Sequence, residues 1–330
     1  MRVSRRALFA QLAAASVLGW REARAQSGET VEYSYDVHGR VTRAEYSSGV
    51  VAEYEYDNAG NRIEVSRTGG ATPPTPPVFS ATINLSTATG PINLRTLANG
   101  EGYDGLRNAT ITFVVGSGAT VTGPAGGADA GVAITTGSWP SASYAIALTL
   151  QVSGKVYGGG GTGGGGASDL GFPATAGSAG GDAVYAQENC TVVVNSGGEI
   201  KSGGGGGGGG GAWTLTVGGE TQYWSGGSGG GGFPNGPAGD GASAGTTGGG
   251  GAGGPAGSMS FAGRANGAGG AGGNAGQAGA SGAAATGTSF PNLDWGAQSA
   301  MAGGIAGYAI RKNGKTVSVT NNGTISGTVG

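Results

Sequence analysis

Nine consecutive glycines, Gly203 to Gly211, limit what this chain can fold into more than any other feature of its sequence. Glycine loses more backbone freedom on folding than any other residue and has no side chain to bury. An ordered structure built from such a run must therefore be held together by hydrogen bonds between backbone groups. The chain of 330 residues contains 79 glycines, so the same requirement extends well beyond this run.

The glycines that follow the run recur at every third position. Residues 267–282 read GAGGAGGNAGQAGASG, and the same spacing occurs in 226–232 and 248–257. A period of three is typical of the polyproline II helix, which has three residues per turn and no internal hydrogen bonds. Without side chains, such helices can bond N–H to C=O laterally, so the spacing favours a bundle of polyglycine II helices. A flexible glycine-rich linker is the alternative, although a linker would not need the period.

A second repeat flanks the glycine tracts. The strings GVAITTG (131–137), GDAVYAQ (181–187) and GYAIRKN (307–313) share Gly-x-Ala-[Val/Ile], and alternating apolar residues and a glycine-containing turn follow each of them. The alternation predicts short strands, and their recurrence predicts stacked β-coils, as in a solenoid. Stacking would bury one continuous apolar stripe, formed by Ile111, Leu148, Val192, Val194, Ile200, Val317 and Ile325. The predicted fold is therefore mainly β, with stacked short β-coils that carry a polyglycine II bundle.

An earlier segment, 31–67, contains a repeat of a different kind. YSYDVHG (33–39) returns 21 residues later as YEYDNAG (54–60), within period-two alternation that predicts β-hairpins. The segment resembles the YD repeat of Rhs and teneurin shell proteins, in which many hairpins stack in series. Two repeats cannot enclose anything, and we expect their tyrosines to be packing residues. The predicted domains are a hairpin pair over 26–67, a Pro-rich linker over 68–79 and a glycine-rich domain over 80–330.

The first 25 residues have the features of an export signal. A basic start and a short apolar stretch precede Ala23-Arg24-Ala25, which predicts cleavage near Ala25–Gln26 and export to the periplasm, the cell surface or the medium. The string SRRALF resembles a twin-arginine signal, and an ordinary secretory signal is the alternative. The apolar stretch is short for a transmembrane helix, so no stable membrane insertion is expected. Loss of its five Arg and one Glu would change the formal net charge from −2 to −6.

The sequence contains no catalytic constellation. It has one histidine, His38, and one cysteine, Cys190, more than a hundred residues apart, and its glycine runs do not continue into a phosphate-binding Lys-[Ser/Thr] element. We therefore predict a non-enzymatic protein without cofactor or metal. The near-neutral charge gives no electrostatic reason to expect nucleic-acid binding. Cys190 lies in the apolar string NCTVVVN, which predicts a small buried side chain.

Aromatic residues interrupt the glycine tract at several points. Exposed aromatic rings stack on sugar faces and anchor protein interfaces at small entropic cost. The candidate receptor-binding residues, in interruptions around 213–235 and 290–296, are Trp213, Tyr223, Trp224, Phe233 and Trp295. The alternative is that these aromatic side chains cap the glycine bundle or pack on the β-coils.

Residues 92–330 also resemble a known family. The segment INLRTLANGEGYDGLRNATITFVVGSGATVTG (92–123), the glycine-flanked strands that follow it and the late NNGTISG are similar to the glycine-rich C-terminal domain of bacteriophage tail-fibre and tail-tip proteins. The resemblance implies layered polyglycine helices whose connecting loops recognise a host surface. Together with the export signal, it predicts an exported, non-enzymatic adhesin that binds a glycan or another cell-surface receptor. The alternatives are a purely structural component of an extracellular or phage-tail-like assembly without ligand, and a secreted remnant of a larger YD-repeat polypeptide. Homo-oligomerisation would strengthen shallow contacts, but the sequence does not set a number of subunits.

Overall fold

The computed structural model describes residues 30–69, 77–126, 131–257, 264–287 and 293–330. The chain divides into two compact units, Met1–Thr75 and Pro76–Gly330. The predicted signal segment with its cleavage site, and most of the predicted Pro-rich linker, lie outside the described residues.

The first unit contains a four-stranded antiparallel sheet in the order β1-β2-β3-β4. Its strands are β1 (Val31–Tyr35), β2 (Val41–Tyr46), β3 (Val50–Tyr56) and β4 (Arg62–Gly69). The aspartate of each YD motif closes its turn, because Asp36 accepts the backbone N–H groups of His38 and Arg40, and Asp57 accepts those of Ala59 and Asn61. The repeat therefore forms the β-hairpins that its alternation predicts.

The tyrosines of this sheet differ in their surroundings. Tyr56 is half-buried and donates a hydrogen bond from its hydroxyl to the Val41 carbonyl at 2.9 Å. Tyr33 and Tyr35, on the edge strand β1, are more than half exposed. The expectation of packing residues is wrong for these two, because an edge strand has a neighbour on one side only.

The second unit is built on five stacked β-coils, each contributing one strand to each of three parallel sheets. The sheet orders are β5-β8-β11-β14-β20, β6-β9-β12-β15-β21 and β7-β10-β13-β19-β22. The strands of the first sheet are β5 (Phe79–Leu85), β8 (Ala109–Val115), β11 (Ile146–Val152), β14 (Cys190–Val194) and β20 (Val317–Asn321). Those of the second are β6 (Ala88–Thr89), β9 (Thr120–Thr122), β12 (Lys155–Tyr157), β15 (Glu199–Lys201) and β21 (Thr324–Ser326). Those of the third are β7 (Ile92–Asn93), β10 (Ile134–Thr135), β13 (Val184–Tyr185), β19 (Tyr308–Arg311) and β22 (Thr328–Val329). This topology confirms the predicted stacked β-coils.

The coils share one apolar core. In the first sheet Ile83, Phe113, Leu150, Val192 and Val319 lie opposite one another in register, and the first four are buried. Val319 is 36% exposed because β20 is an edge strand of this sheet. Six residues of the predicted stripe are buried and the seventh, Ile325, is partly buried against the same core. A short helix, α1 (Leu94–Gly100), contributes Leu94 and Ala98 to this core.

The three Gly-x-Ala motifs lie side by side in the third sheet. Their alanines, Ala133, Ala183 and Ala309, are fully buried, and the residues that follow them pair in register as β10, β13 and β19. Cys190, at the start of β14, is buried as predicted. Burial, together with the nearby Glu188 carboxylate, raises the pKa of its thiol to about 11.

The glycine segments leave the coils between their second and third strands. Residues 158–183 separate β12 from β13, and residues 202–307 separate β15 from β19. The second insertion also contains β16 (Ala212–Val217), β17 (Glu220–Tyr223) and β18 (Asp294–Gln298), which form an antiparallel sheet in the order β17-β16-β18.

The nine-glycine run lies at the centre of these segments. Three successive N–H groups donate to three different segments, 175–181, 227–233 and 277–283, and this order repeats along the run. Its C=O groups accept, again in a repeating order, from the segments 161–167, 267–273 and 301–307. All nine N–H and all nine C=O groups are therefore bonded, and six segments surround the run.

This packing explains why the run consists of glycine only. A Cβ atom added at any of its nine positions would lie within 2.3 Å of a carbonyl oxygen of a neighbouring segment. The segment 276–282, at the edge, needs glycine at every third position, since Gly279 and Gly282 face the run. A segment that is surrounded on all sides therefore needs glycine at every position, whereas a segment at the edge needs it only at the positions that face a neighbour.

Candidate functional site

The direction of the glycine segments places their connections at two opposite ends. Residues 161, 164 and 167 bond to 204, 207 and 210, so these two segments are parallel. Residues 203, 206 and 209 bond to 181, 178 and 175, so those two are antiparallel. One end joins the β-coils directly through β12, β13, β15 and β19. We call the other end, which carries residues 168–172, the β16–β17 hairpin and β18, the distal end.

The connections at the distal end contact each other. The Gln298 side-chain amide of β18 donates to the Gly171 carbonyl at 3.1 Å. Gly171 packs closely against the Tyr223 ring. A Cβ atom added at this glycine would lie only 2.9 Å from the ring. The segment 168–172 therefore contacts the sheet β17-β16-β18. Side chains take part in these contacts, unlike the purely backbone contacts of the nine-glycine run.

Three of the sequence-predicted residues form one cluster at this end. Trp213 meets Trp295 edge-on at 6.0 Å between ring centroids, and Trp224 stacks on Trp295 at 5.8 Å. The buried Arg264 guanidinium lies 3.7 Å from the Trp295 ring centroid and 5.3 Å from that of Trp213. Removal of this cation from water strengthens its attraction to both rings. The cluster therefore brings side chains of β16 and β18 into contact with Arg264, where the distal connections leave the glycine segments.

The members of the cluster differ in exposure. Trp213 is only 8% exposed, and its indole N–H donates to the Thr286 carbonyl at 2.9 Å. Trp224 and Trp295 are half-buried. Trp213 therefore holds the bundle end together, as the capping alternative expects, while its two neighbours keep part of their surface accessible.

Several apolar side chains of the distal end are exposed. Tyr223 is itself exposed, and Leu170 and Phe172, which flank the glycine beneath its ring, are 77% and 67% exposed. Val217 and Leu293 are also exposed, on the β16–β17 hairpin and next to β18. We refer to Leu170, Phe172, Val217, Tyr223 and Leu293 as the distal apolar residues.

Phe233 does not belong to this end. It follows the segment 226–232 where that segment returns to the β-coils, and its ring packs edge-on against Tyr157 of β12 at 5.3 Å. With 2% of its surface exposed, it has no face left for a receptor. The expectation that the whole stretch 213–235 presents binding loops is therefore wrong for Phe233. Phe290, in the other predicted stretch, lies outside the described residues.

Sequence reasoning missed Leu170 and Phe172. The signal was present, since SDLGF (168–172) interrupts the glycine period just as the longer interruptions do. The segment is short and holds no tryptophan, so it did not stand out. Only the antiparallel return of the glycine segments shows that it lies beside Tyr223.

The described part of the chain offers little for metal or acid–base chemistry. Within the described ranges, no group of three or more His, Cys, Asp or Glu side chains could hold a metal ion. The buried Asp182 is bound to Arg311 at 2.6 Å, and the buried Glu188 accepts the Ser141 hydroxyl at 2.7 Å. Both carboxylates link neighbouring coils. No helix in the described residues has the length and apolar character needed to cross a membrane.

The second unit is thus a stem of parallel β-coils that carries laterally bonded glycine segments, with apolar side chains at their far end. A family model described as phage tail fibre adhesin Gp38 matches residues 80–330, which is more than half of the chain. The protein therefore belongs to the phage tail fibre adhesin Gp38 family. An RHS repeat model matches residues 35–72, in the first unit.

The solved structures include one match, the gp37–gp38 adhesin tip complex of the bacteriophage S16 long tail fibre. The similarity covers 76% of this chain and 82% of that chain, with 22% sequence identity and a TM-score of 0.45. Among curated proteins no match was found.

Proposed function

We propose that this protein recognises a cell-surface receptor, a glycan or a protein, through the distal apolar residues. The observation that carries the proposal is the exposure of Leu170, Phe172 and Tyr223 on connected loops at the end of the glycine bundle. Apolar side chains grouped in this way are typical of binding surfaces, because burying them against a partner removes them from water. Membership of an adhesin family supports the same role.

The glycine bundle supports this proposal because it would present the loops rigidly. We infer that its segments are polyglycine II helices, since their lateral hydrogen bonds recur every three residues as that helix requires. Loops held by a rigid body lose less freedom on binding than loops on a flexible tether. Trp213, Trp295 and Arg264 would then position the loops, and Tyr223 and Phe172 would contact the receptor.

Export and cleavage near Ala25–Gln26 remain part of the proposal, and they would place the protein outside the cytoplasm. The domain boundaries predicted at 67/68 and 79/80 are proposed in the same way. A structural component without ligand is the second candidate function, and the burial of Trp213 is the observation that favours it. The two functions differ in whether the exposed side chains at the distal end contribute to cell binding.

The test compares one double variant with one single control variant, both in the full chain. Labelled protein is first applied to a panel of intact bacteria, and binding to a strain that it labels is then measured by flow cytometry. Phe172→Ser with Tyr223→Ser should lower the affinity at least about tenfold, the usual effect of losing interface anchors. The matched control is Leu106→Ser, because Leu106 is 66% exposed but lies between α1 and β8, away from the distal end.

The free energy of unfolding should stay within about 0.5 kcal/mol of the unsubstituted protein in all these variants, since the side chains are exposed. Equal binding by the Phe172/Tyr223 variant and the Leu106 control would favour the structural role. A panel in which the protein labels no strain would also favour the structural role.

A further inference from the structure

The third sheet of the β-coils carries a ladder of outward side chains. Asn93, Thr135, Tyr185 and Arg311 lie opposite one another in register across four successive strands. The residues that precede the last three, Ile134, Val184 and Ile310, point into the core and are fully buried. Because successive residues of a strand point to opposite faces, the ladder lies on the outer surface of the stem.

A cleft of about 240 Å³ lies beside this ladder. Its walls and floor are formed by Pro91, Val132, Thr135, Tyr185 and Gln187. The cleft therefore combines an aromatic ring, two apolar side chains and two polar side chains, which together offer both stacking and hydrogen bonding to a small ligand. Its volume suits one sugar ring rather than a larger group.

The polar groups of the cleft are held in fixed positions. The Thr135 hydroxyl donates to Gln187 Oε1 at 2.6 Å, and the Gln187 backbone N–H donates to the Thr136 hydroxyl at 2.8 Å. Gln187 Oε1 is thus occupied. Within the residues that the structure describes, neither Gln187 Nε2 nor the Tyr185 hydroxyl forms a hydrogen bond, so each can bond to a ligand.

The charge of Arg311, which lies beside the cleft, is neutralised within the protein. The Arg311 guanidinium lies 5.9 Å from the Tyr185 ring centroid and stacks on Tyr308 at 4.8 Å. Its charge is balanced by the buried Asp182 carboxylate, 2.6 Å away. Arg311 therefore supports the Tyr185 ring without creating a site for an anion.

We propose that this cleft binds a neutral sugar unit of an extended glycan that runs along the stem. The sugar ring stacks on Tyr185, and its hydroxyl groups bond to Gln187 Nε2 and the Tyr185 hydroxyl. Neighbouring coils are about 4.8 Å apart, close to the length of one residue in an extended glycan chain. Adjacent sugar units therefore meet Asn93 and Thr135 on the preceding coils. The site is separate from the distal apolar residues and does not depend on the receptor proposed for them.

The test uses the full chain and neutral hexasaccharides, namely cellohexaose, maltohexaose and mannohexaose, in saturation-transfer NMR and calorimetry. At least one should bind to the unsubstituted protein. Tyr185→Ala should weaken that binding about tenfold or more, Tyr185→Phe should retain most of it, and Gln187→Ala should weaken it about fivefold. The matched control is Tyr35→Ala, which removes an exposed tyrosine of the first unit and should bind as the unsubstituted protein does.

Three results would overturn the proposal. These are the absence of binding to all three hexasaccharides, unchanged binding by Tyr185→Ala, and loss of binding by Tyr35→Ala. Gln187→Ala, at a half-buried position, tests the site independently if Tyr185→Ala does not fold. Cell binding by Tyr185→Ala should be unchanged, which separates this proposal from that of the distal apolar residues.

Discussion

Gly207, in the middle of the nine-glycine run, provides the sharpest test of how this protein is held together. A Cβ atom added at this position would lie 2.0 Å from the Gly270 carbonyl oxygen, whereas an ordinary contact begins at 3.4 Å. The segment 267–273 would have to move away by about 1.4 Å to make room for alanine. The atoms that the added Cβ would meet are all backbone atoms, so no neighbouring side chain can rotate to relieve the clash.

The cost of this movement can be estimated from the bonds between the two segments. They are joined by three hydrogen bonds of 2.7 to 2.9 Å, donated by Gly267, Gly270 and Gly273. A displacement of that size would break them and leave buried N–H and C=O groups without partners. Each lost bond costs about 1 kcal/mol or more when its groups stay buried. Gly207→Ala should therefore lower the free energy of unfolding by about 3 kcal/mol or more.

Gly165→Ala is the matched control, because Gly165 lies in a neighbouring glycine segment. An added Cβ there would meet only the Thr175 hydroxyl, at 3.5 Å, which is an ordinary contact. Alanine at a compatible glycine position stabilises by about 0.4–1 kcal/mol through the unfolded chain. Urea unfolding followed by tryptophan fluorescence measures both variants. If they unfold within about 0.5 kcal/mol of each other, close packing of the run is not what requires glycine.

Two further predictions concern the distal cluster and the YD turns. Trp213→Ala should lower the free energy of unfolding by about 3 kcal/mol, because it removes a buried ring, whereas Tyr223→Ala should change it little. Urea unfolding measures both variants. Equal effects of the two substitutions would contradict the assignment of Trp213 as a structural residue. The Asn61 side chain and backbone donate to Asp57 and hold the pKa of its carboxyl below the ordinary 3.8. Its contribution to the stability of the hairpin is therefore present above about pH 4 and lost as the pH falls through the lowered pKa. Carbon-13 NMR titration should show this lowered pKa and its return towards 3.8 in Asn61→Ala, and a value at or above 3.8 in the unsubstituted protein would refute the role of the turn.

Much of the fold follows from local patterns in the sequence. The alternation around Ile111, Leu148 and Val192 predicts strands that bury these residues, and the three Gly-x-Ala motifs predict equivalent positions in successive coils. Short-range patterns are informative here because each coil repeats the same environment for its neighbours. The position of Phe233 could not be predicted in this way. It interrupts the glycine tract just as Trp213 does, and only the direction of its segment places it at the opposite end.

The sequence alone determines that the backbone of the glycine tract must supply its own partners. Glycine has no side chain to bury, and a period of three offers each segment faces for lateral bonding. The tertiary structure decides which segments become neighbours, because their order around Gly203–Gly211 depends on contacts between residues far apart in the chain. It also decides which interruptions meet at the distal end and which return to the stem. Both follow from the alternating directions of the segments, which no local stretch of residues specifies.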